Sequence, residues 1–399
     1  MPRPQTKQLI AAVVVACVAA AAASMALFHF IELPAGWCLL AWCAPAAVIA
    51  VAGHDAARKV ALSLCALLIA LAAAEFILQA MDALEHRATS IRLEGTYLDY
   101  FRHRDPVLGY APMPGKATAA KFIGTTEIYR VEYTIGPDGL RITPPAPPEA
   151  PVVMFFGCSF VFGEGLNDSE TLPWQVAEAC GHSFKTRNFG FHGYGAHQML
   201  SAIESGWAGR AAHNPVRAAI YVGLLAHVPR VAGKSSWDLD GPRYILDEAG
   251  EPVRRGCFDS GWRRILRISA AMRRAAGRSR LFRRFAEPDH TPTPEDIRLY
   301  VAVVGKARRA FLNAHPNAEF HVIFWDRAPW NEDSSIASAL ADAIEKEGVP
   351  VHRISGILPD IAVNPLRYAI HPSDPHPNAL ANRILAEYVA REILGCGRR

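Results

Sequence analysis

Three apolar stretches open the chain, at roughly 8–31, 36–53 and 59–81, separated by short polar breaks. Each is near the ~20 residues that an α-helix needs to cross a bilayer. Helices of a soluble core keep a polar face toward water. Three nearly uncharged stretches in a row do not, so residues 1–82 are expected to form a transmembrane region of about three helices. A cleaved signal peptide is the alternative for the first stretch, because the small-residue run 20–26 would suit a cleavage site. Arg3 and Lys7 precede the first stretch, Arg58 and Lys59 lie between the second and third, and Glu32 is the charge between the first and second. Positive flanks stay in the cytoplasm, so the chain after the third helix is expected on the far side, whether or not the first stretch is cleaved.

The net charge of +4 over 399 residues is too small to argue for nucleic acid, and no run alternates basic with aromatic residues. No nucleic-acid partner is expected. Cys17, Cys38, Cys43 and Cys65 lie in the apolar region, and Cys158, Cys180, Cys257 and Cys396 lie beyond it. The latter four form no C-x-x-C pair and no zinc-like spacing with His, so neither a metal nor another cofactor is expected. They allow one disulfide, whose pairing their spacing leaves open.

Residues 83–148 are rich in Gly, Pro and Tyr and read as a small β-rich lead-in and linker. Glu127–Ile135 alternates like a strand, Pro137-Asp138-Gly139 signals a turn, and five prolines crowd 143–151. From 149 to 399 short apolar runs (151–157, 185–189, 217–224, 319–325 and 350–353) alternate with helical segments near 170–180, 196–210, 294–313, 334–347 and 378–394. That alternation predicts a parallel sheet with helices on both faces, a fold that binds ligands at the carboxyl ends of its strands. An insertion at about 228–292 interrupts the pattern. It holds a predicted hairpin over Tyr244–Val253, then nine arginines among the 22 residues of 263–284. This basic stretch reads either as a solvated helix face or as an amphipathic helix on anionic headgroups or an anionic polymer.

Three motifs fall at predicted strand ends. In Gly157-Cys158-Ser159-Phe160, followed by Gly163-Glu164-Gly165, a serine at a strand-to-helix turn exposes its hydroxyl and leaves its N–H free for an oxyanion. Position 161 is Val, so this is not G-x-S-x-G, and Gly-x-Ser at a strand end is often only a turn. Asn188-Phe189-Gly190-Phe191-His192-Gly193-Tyr194-Gly195 closes another strand, and Gly193 N–H is a candidate second donor; the alternative is a tight loop needing positive φ. His371-Pro372-Ser373-Asp374-Pro375-His376-Pro377 precedes the last helix. An Asp two residues from a His can orient the ring and stabilise its charged form, and such a His can activate a serine. Alone, Asp-x-His is more often a surface pair.

In this order, and on this kind of sheet, the motifs resemble the SGNH (GDSL-like) hydrolase superfamily. GCSFVFGEG looks like its nucleophile block with Cys158 where Asp is usual, NFGFHGYG like the block of the oxyanion glycine, and DPHPN like the final Asp/His block. The resemblance spans about 151–395 without the insertion. HRDPVLGYAPMPG and VEYTIGPDGLR look like segments preceding the domain in membrane-linked bacterial members. It implies a three-layer α/β/α, flavodoxin-like parallel sheet and a catalytic set of Ser159, Asp374 and His376, with Ser159 and Gly193 at the oxyanion. It also implies a bacterial inner-membrane protein with its catalytic domain facing the periplasm or exterior. One block departs: Gly223-Leu224-Leu225-Ala226-His227 lacks the usual Asn donor, worth roughly 3–4 kcal/mol. His227, Arg230 and His192 are the candidates for a substitute or for substrate contacts; for His227 and Arg230 the alternative is packing or pairing at the domain surface. His371 is a rival base without an Asp at the right spacing, and Cys158 is expected to point into the sheet and be inert.

The expected function is a serine esterase or O-acyltransferase working through an acyl-enzyme on Ser159, with an acylated cell-envelope glycan or lipid as substrate. The alternative is a non-catalytic glycan-binding or partner-docking module on a degenerate hydrolase scaffold, and a lipid thioesterase or phospholipase is a third. The membrane helices would anchor the domain or dock a membrane acyltransferase that hands over the acyl group.

Overall fold

The computed structural model describes residues 15, 19–20, 35–52, 55–86, 91–96, 103–235, 237–259, 279–280, 291–327 and 334–396. The chain divides into two units, Met1–Thr89 with Gly261–Asp289, and Ser90–Ser260 with His290–Arg399.

The first unit holds helices α1 (Ala35–Ala41), α2 (Cys43–Ala52) and α3 (Asp55–His86). Within α3, Arg58–Met81 is the one helix among the described residues long and apolar enough to cross a membrane. The stretch expected as a second span holds α1 and α2 with a turn at Trp42, and its apolar helical part, Gly36–Ala50, is shorter than Arg58–Met81. Pro45 accounts for the break: it has no N–H to donate and its ring crowds the carbonyl four residues back, but it fits the first turn of a new helix. The stretch 8–31 lies almost wholly outside the described residues, as does the arginine-rich 263–284 apart from Ser279 and Arg280. Glu75 of α3 is buried and accepts from Ser279 Oγ at 2.9 Å and from the Arg280 amide at 2.7 Å.

The second unit begins with β1 (Ile91–Gly95), β2 (Arg104–Asp105), β3 (Gly109–Tyr110), β4 (Gly115–Ile123) and β5 (Thr126–Ile135). Strands β1, β4 and β5 form an antiparallel sheet in which Tyr129, Val131, Tyr133 and Ile135 turn inward at every second position. Next come β6 (Val152–Phe156), α4 (Ser159–Phe162), α5 (Leu172–Ala179), β7 (Lys185–Asn188), α6 (Ala196–Glu204), α7 (Trp207–Ala212), β8 (Val216–Leu224) and α8 (His227–Val231). The hairpin β9 (Pro242–Leu246) and β10 (Pro252–Cys257) follows, as the sequence predicts. The chain finishes with α9 (Pro294–Ala314), β11 (Glu319–Trp325), α10 (Ser334–Lys346), β12 (Val351–Arg353), α11 (Ile354–Ile357), β13 (Ala369–His371), β14 (Asp374–Pro377) and α12 (Ala379–Tyr388).

Five parallel strands lie in the order β12-β11-β8-β6-β7. In chain order this is the doubly wound 2-1-3-4-5 arrangement, whose direction of winding reverses between β6 and β8. All five residues of β6 are buried because both faces of the sheet are covered. Val152, Met154 and Phe156 pack with Tyr300 and Val304 of α9 on one face. Val153 and Phe155 pack with Val176 of α5 and Leu385 of α12 on the other. Each such buried side chain contributes roughly 1.5–3 kcal/mol relative to exposure. A disulfide joins Cys180, at the end of α5, to Cys396 after α12.

The lead-in belongs to this unit. Arg141 pairs in backbone bridges with both Ile135 and Asn188, carrying the chain from β5 to the edge strand β7.

Candidate active site

Ser159, the loop 189–195 and His227 follow β6, β7 and β8 respectively, so all three stand at the carboxyl edge of the sheet beside the reversal point. Ser159 is the first residue of α4, where the amide N–H has no intrahelical acceptor. The short helix ends at Gly163 in a left-handed conformation (φ +84°). A β-carbon there would fall 2.6 Å from Thr171 and 3.1 Å from Arg141 Nη1, which explains the glycine.

Arg141 grips the turn from beneath. Its guanidinium donates to the carbonyls of Phe162 and Gly163 at 2.7 Å each and of Leu166 at 2.6 Å, and to Asp168 Oδ1 at 2.9 Å. Fully buried, it stabilises through a fork of charge-assisted bonds that a lysine cannot reproduce.

Asp374 and His376 lie on β14, which pairs with β13 in a hairpin. The structure brings both to Ser159. His376 Nε2 is 2.9 Å from Ser159 Oγ, and His376 Nδ1 is 2.6 Å from Asp374 Oδ1. Asp374 is fully buried, and its second oxygen accepts from Lys121 Nζ of β4 at 2.9 Å. Burial alone would raise the Asp374 pKa, but the bonds from His376 and Lys121 hold it below the ordinary carboxylate value.

Glu164 is an addition that the sequence reading left without a role. Its Oε2 lies 3.2 Å from His376 Nε2 and 2.8 Å from His192 Nδ1. Burial opposes its charge, yet the adjacent His376 and His192 keep its pKa well below the ordinary value. Burial pushes His192 down despite the carboxylate, so it is neutral and donates through Nδ1–H. Burial also opposes charging His376, but Glu164 and Asp374 together push it up to about 10. Ligand atoms of Glu164, Asp374 and His376 lie within 4.8 Å of one another. The cation on Asp374 is the Lys121 ammonium, and the imidazole already faces Asp374 and Ser159, so we read the cluster as a proton-bearing chain and assign no metal.

Gly193 has φ +73°, and a β-carbon there would fall 2.5 Å from Trp237 Nε1 and 2.8 Å from Tyr110 Oη. The lead-in steadies this loop: Tyr110 Oη donates to the His192 carbonyl at 2.7 Å, and Tyr194 Oη donates to the Tyr110 carbonyl at 2.5 Å. Arg230 donates to the Tyr194 carbonyl at 2.8 Å. His227 is fully buried with Nδ1 2.6 Å from Tyr221 Oη, and burial pushes its pKa well down, so the ring is neutral. Neither His227 nor Arg230 bonds to Ser159 or His376 among the described residues. His192 reaches His376 through Glu164. His371 accepts from the Ser373 amide at 3.1 Å, and Cys158 is buried against the α5 side of the sheet.

Glu164, Lys121, Tyr110 and Arg141 all sit within or beside segments whose resemblance was visible, GCSFVFGEG, HRDPVLGYAPMPG and VEYTIGPDGLR, or on the strand before them. A charged residue between two glycines just after the nucleophile turn was the available signal for Glu164.

No protein-family model matches the chain, and no curated protein sequence matches it. Among solved structures it is similar to a protein described as G-D-S-L family lipolytic, from Desulfitobacterium hafniense DCB-2, at 11% identity and TM-score 0.32, covering 60% of this chain and 98% of that one. An acetyl xylan esterase from the rumen bacterium Butyrivibrio proteoclasticus matches at 11% identity and TM-score 0.32, covering 64% and 67%. A carbohydrate acetylesterase family member from Sinorhizobium meliloti matches at 10% identity and TM-score 0.30, covering 62% and 98%. At these scores they add nothing to what Ser159, Asp374 and His376 convey by their own geometry.

Proposed function

We propose that this protein is a serine acyl-ester hydrolase or O-acyltransferase. The observation that carries the reading is the continuous chain Asp374–His376–Ser159, with bonds of 2.6 and 2.9 Å. Nucleophile, base and orienting carboxylate stand within the reach that acyl transfer requires. In its neutral form His376 takes the Ser159 hydroxyl proton as Oγ bonds to the ester carbonyl carbon, and the carbonyl π pair moves to oxygen. The N–H groups of Ser159 and Gly193 are the donors offered to that oxyanion. Collapse breaks the ester C–O bond, the leaving oxygen takes the proton from His376, and the acyl group stays on Ser159. Water or an acceptor hydroxyl then repeats the cycle.

We further propose a membrane-anchored protein with this site outside the cytoplasm, acting on acyl esters of cell-envelope glycans or lipids. The helix Arg58–Met81 supports the anchor: Val60, Leu67 and Ile77 leave more than half their surface uncovered by protein, which lipid would cover. The Cys180–Cys396 disulfide fits an oxidising compartment, and the basic flank at Arg58 and Lys59 fits an outward exit of α3. The charge state of His376 and the absent Asn favour a second reading, a glycan-binding module on a hydrolase scaffold.

Intact-protein mass spectrometry after incubation with an activated acetyl ester separates the two, with Ser159→Ala beside the wild type. An acetyl adduct on wild type alone is expected. No adduct at any pH, and no turnover above the variant, would leave the binding module as the reading.

A further inference from the structure

His376 has a carboxylate on each side of its ring. Asp374 Oδ1 lies 2.6 Å from Nδ1, and Glu164 Oε2 lies 3.2 Å from Nε2, where Ser159 Oγ also sits at 2.9 Å. An ionised carboxylate only accepts, and a neutral imidazole carries a single N–H. Both carboxylates therefore face an N–H of this one ring only when both of its nitrogens bear protons. We propose that Glu164 is a positioning residue that holds a proton on His376 Nε2 in the free enzyme, so that Ser159 becomes a nucleophile only after this proton has left. The proposal rests on the acyl-transfer reading and adds its regulation.

Glu164 is built to stay. Its side chain is 12% exposed, Oε2 also meets His192 Nδ1 at 2.8 Å, and Oε1 accepts from Tyr129 Oη at 3.5 Å. Arg141 holds the carbonyls of Phe162, Gly163 and Leu166 on either side of it, and Tyr133 Oη accepts from the Gly165 amide at 2.9 Å. The groups facing the imidazole from every packed element are thus Asp374 with Lys121 behind it, Glu164 with neutral His192 behind it, and the more distant Arg141, Tyr129 and Tyr133. The two charged groups in direct reach of the ring are both anionic, which agrees with the upward pKa of His376.

The step balances simply. The Nε2–H proton passes to a solvent base, the site loses one positive charge, and the freed Nε2 lone pair faces the Ser159 hydroxyl. That lone pair takes the serine proton as the Oγ–C bond forms. The free site is therefore proton-loaded near neutrality, and acylation should accelerate into the alkaline range.

Two readouts on the full chain in detergent test this. The first is the pH dependence of acetyl-adduct formation from p-nitrophenyl acetate for wild type, Glu164→Gln and Glu164→Asp. The second is the ring ¹³Cε1 NMR titration of His376 in Ser159→Ala with and without Glu164→Gln, which needs no turnover. Glu164→Gln is expected to move both midpoints down by more than about one pH unit, a gain of about tenfold or more in neutral His376 near neutrality. Glu164→Asp, which keeps the charge and checks against misfolding, should fall between. A purely structural role would lower the rate at every pH without moving either midpoint, and an unmoved NMR midpoint overturns the proposal. If the NMR midpoint moves but no protein forms an adduct at any pH, the proton-holding role stands and the acyl-transfer reading fails.

Discussion

Lys121 Nζ and Asp374 Oδ2 meet at 2.9 Å across 253 positions of sequence, so the β-rich lead-in reaches the orienting carboxylate of the site. Asp374 is fully buried and Lys121 nearly so, which puts the pair where losing one partner leaves the other poorly compensated. Lys121→Met keeps the aliphatic stem and removes the ammonium. It is expected to cost about 1.5–3 kcal/mol of stability and to lower kcat on the order of tenfold with little change in KM. Paired denaturation and steady-state kinetics on an activated ester check this, with Lys121→Arg expected to recover part of the loss. An unaltered kcat in a folded Lys121→Met protein would show that the ammonium does not orient the triad.

Gly193 offers a sharper test of the oxyanion assignment. A methyl group at φ +73° is strained and meets Trp237 Nε1 at 2.5 Å, so Gly193→Ala must shift the loop. Loss of one oxyanion donor typically lowers kcat by about 10²–10³. The expected result is a drop of that size in acylation rate, with Ser159 labelling by a fluorophosphonate slowed in parallel. Near-wild-type acylation would place the oxyanion elsewhere.

The charge state of His376 also predicts how stability responds to pH. Its folded pKa, about 10, lies above the ordinary value of 6.5. A group raised on folding stabilises fully below its unfolded pKa and loses that contribution as pH rises through its folded pKa. Stability is therefore expected to decline between about 6.5 and about 10, and urea titrations across this window measure it. Asp374 and Glu164, both depressed, work in the opposite direction and lose their contribution as pH falls below the ordinary carboxylate range. The alkaline decline should be shallower in Glu164→Gln; an identical slope would remove Glu164 from the account.

The disulfide between Cys180 and Cys396 closes a loop of 216 residues and ties the end of α5 to the segment after α12. Removing a bond of this kind typically costs about 2–5 kcal/mol. Reductant, or the double change Cys180→Ser with Cys396→Ser, is expected to lower the melting temperature of this unit on the order of ten degrees. The acyl-adduct yield at low temperature should be unchanged, because neither cysteine touches the site residues. Equal melting temperatures with and without reductant would mean the bond adds no stability.

Particular residues show where sequence reading succeeds and where it stops. Val152–Phe156 was legible as a buried strand because an unbroken apolar run between a proline and a glycine suits a sheet covered on both faces. The second apolar stretch was legible as apolar helix, but a hydropathy window sees composition and not the turn at Trp42 that Pro45 favours. Lys121 on an alternating strand looks like any solvated charge, and only the tertiary fold brings its ammonium to the buried Asp374 carboxylate. Glu164 stood in plain view between two glycines, but its direction depends on the backbone at Gly163 and Gly165 and on the grip of Arg141.

The amino-acid sequence by itself determined the alternation of strands and helices, the turn that presents Ser159, and the local Asp374–His376 pair. These follow from periodicity, glycine placement and a two-residue spacing, all of which act over short stretches of chain. Only the tertiary structure decided that Glu164 and Asp374 face opposite nitrogens of one imidazole, that Lys121 stands behind Asp374, and that Cys180 meets Cys396. Those juxtapositions arise where segments separated by up to 253 positions are brought together by burial of two apolar faces on one sheet. Burial there also removes the water that would otherwise screen each charge from the next.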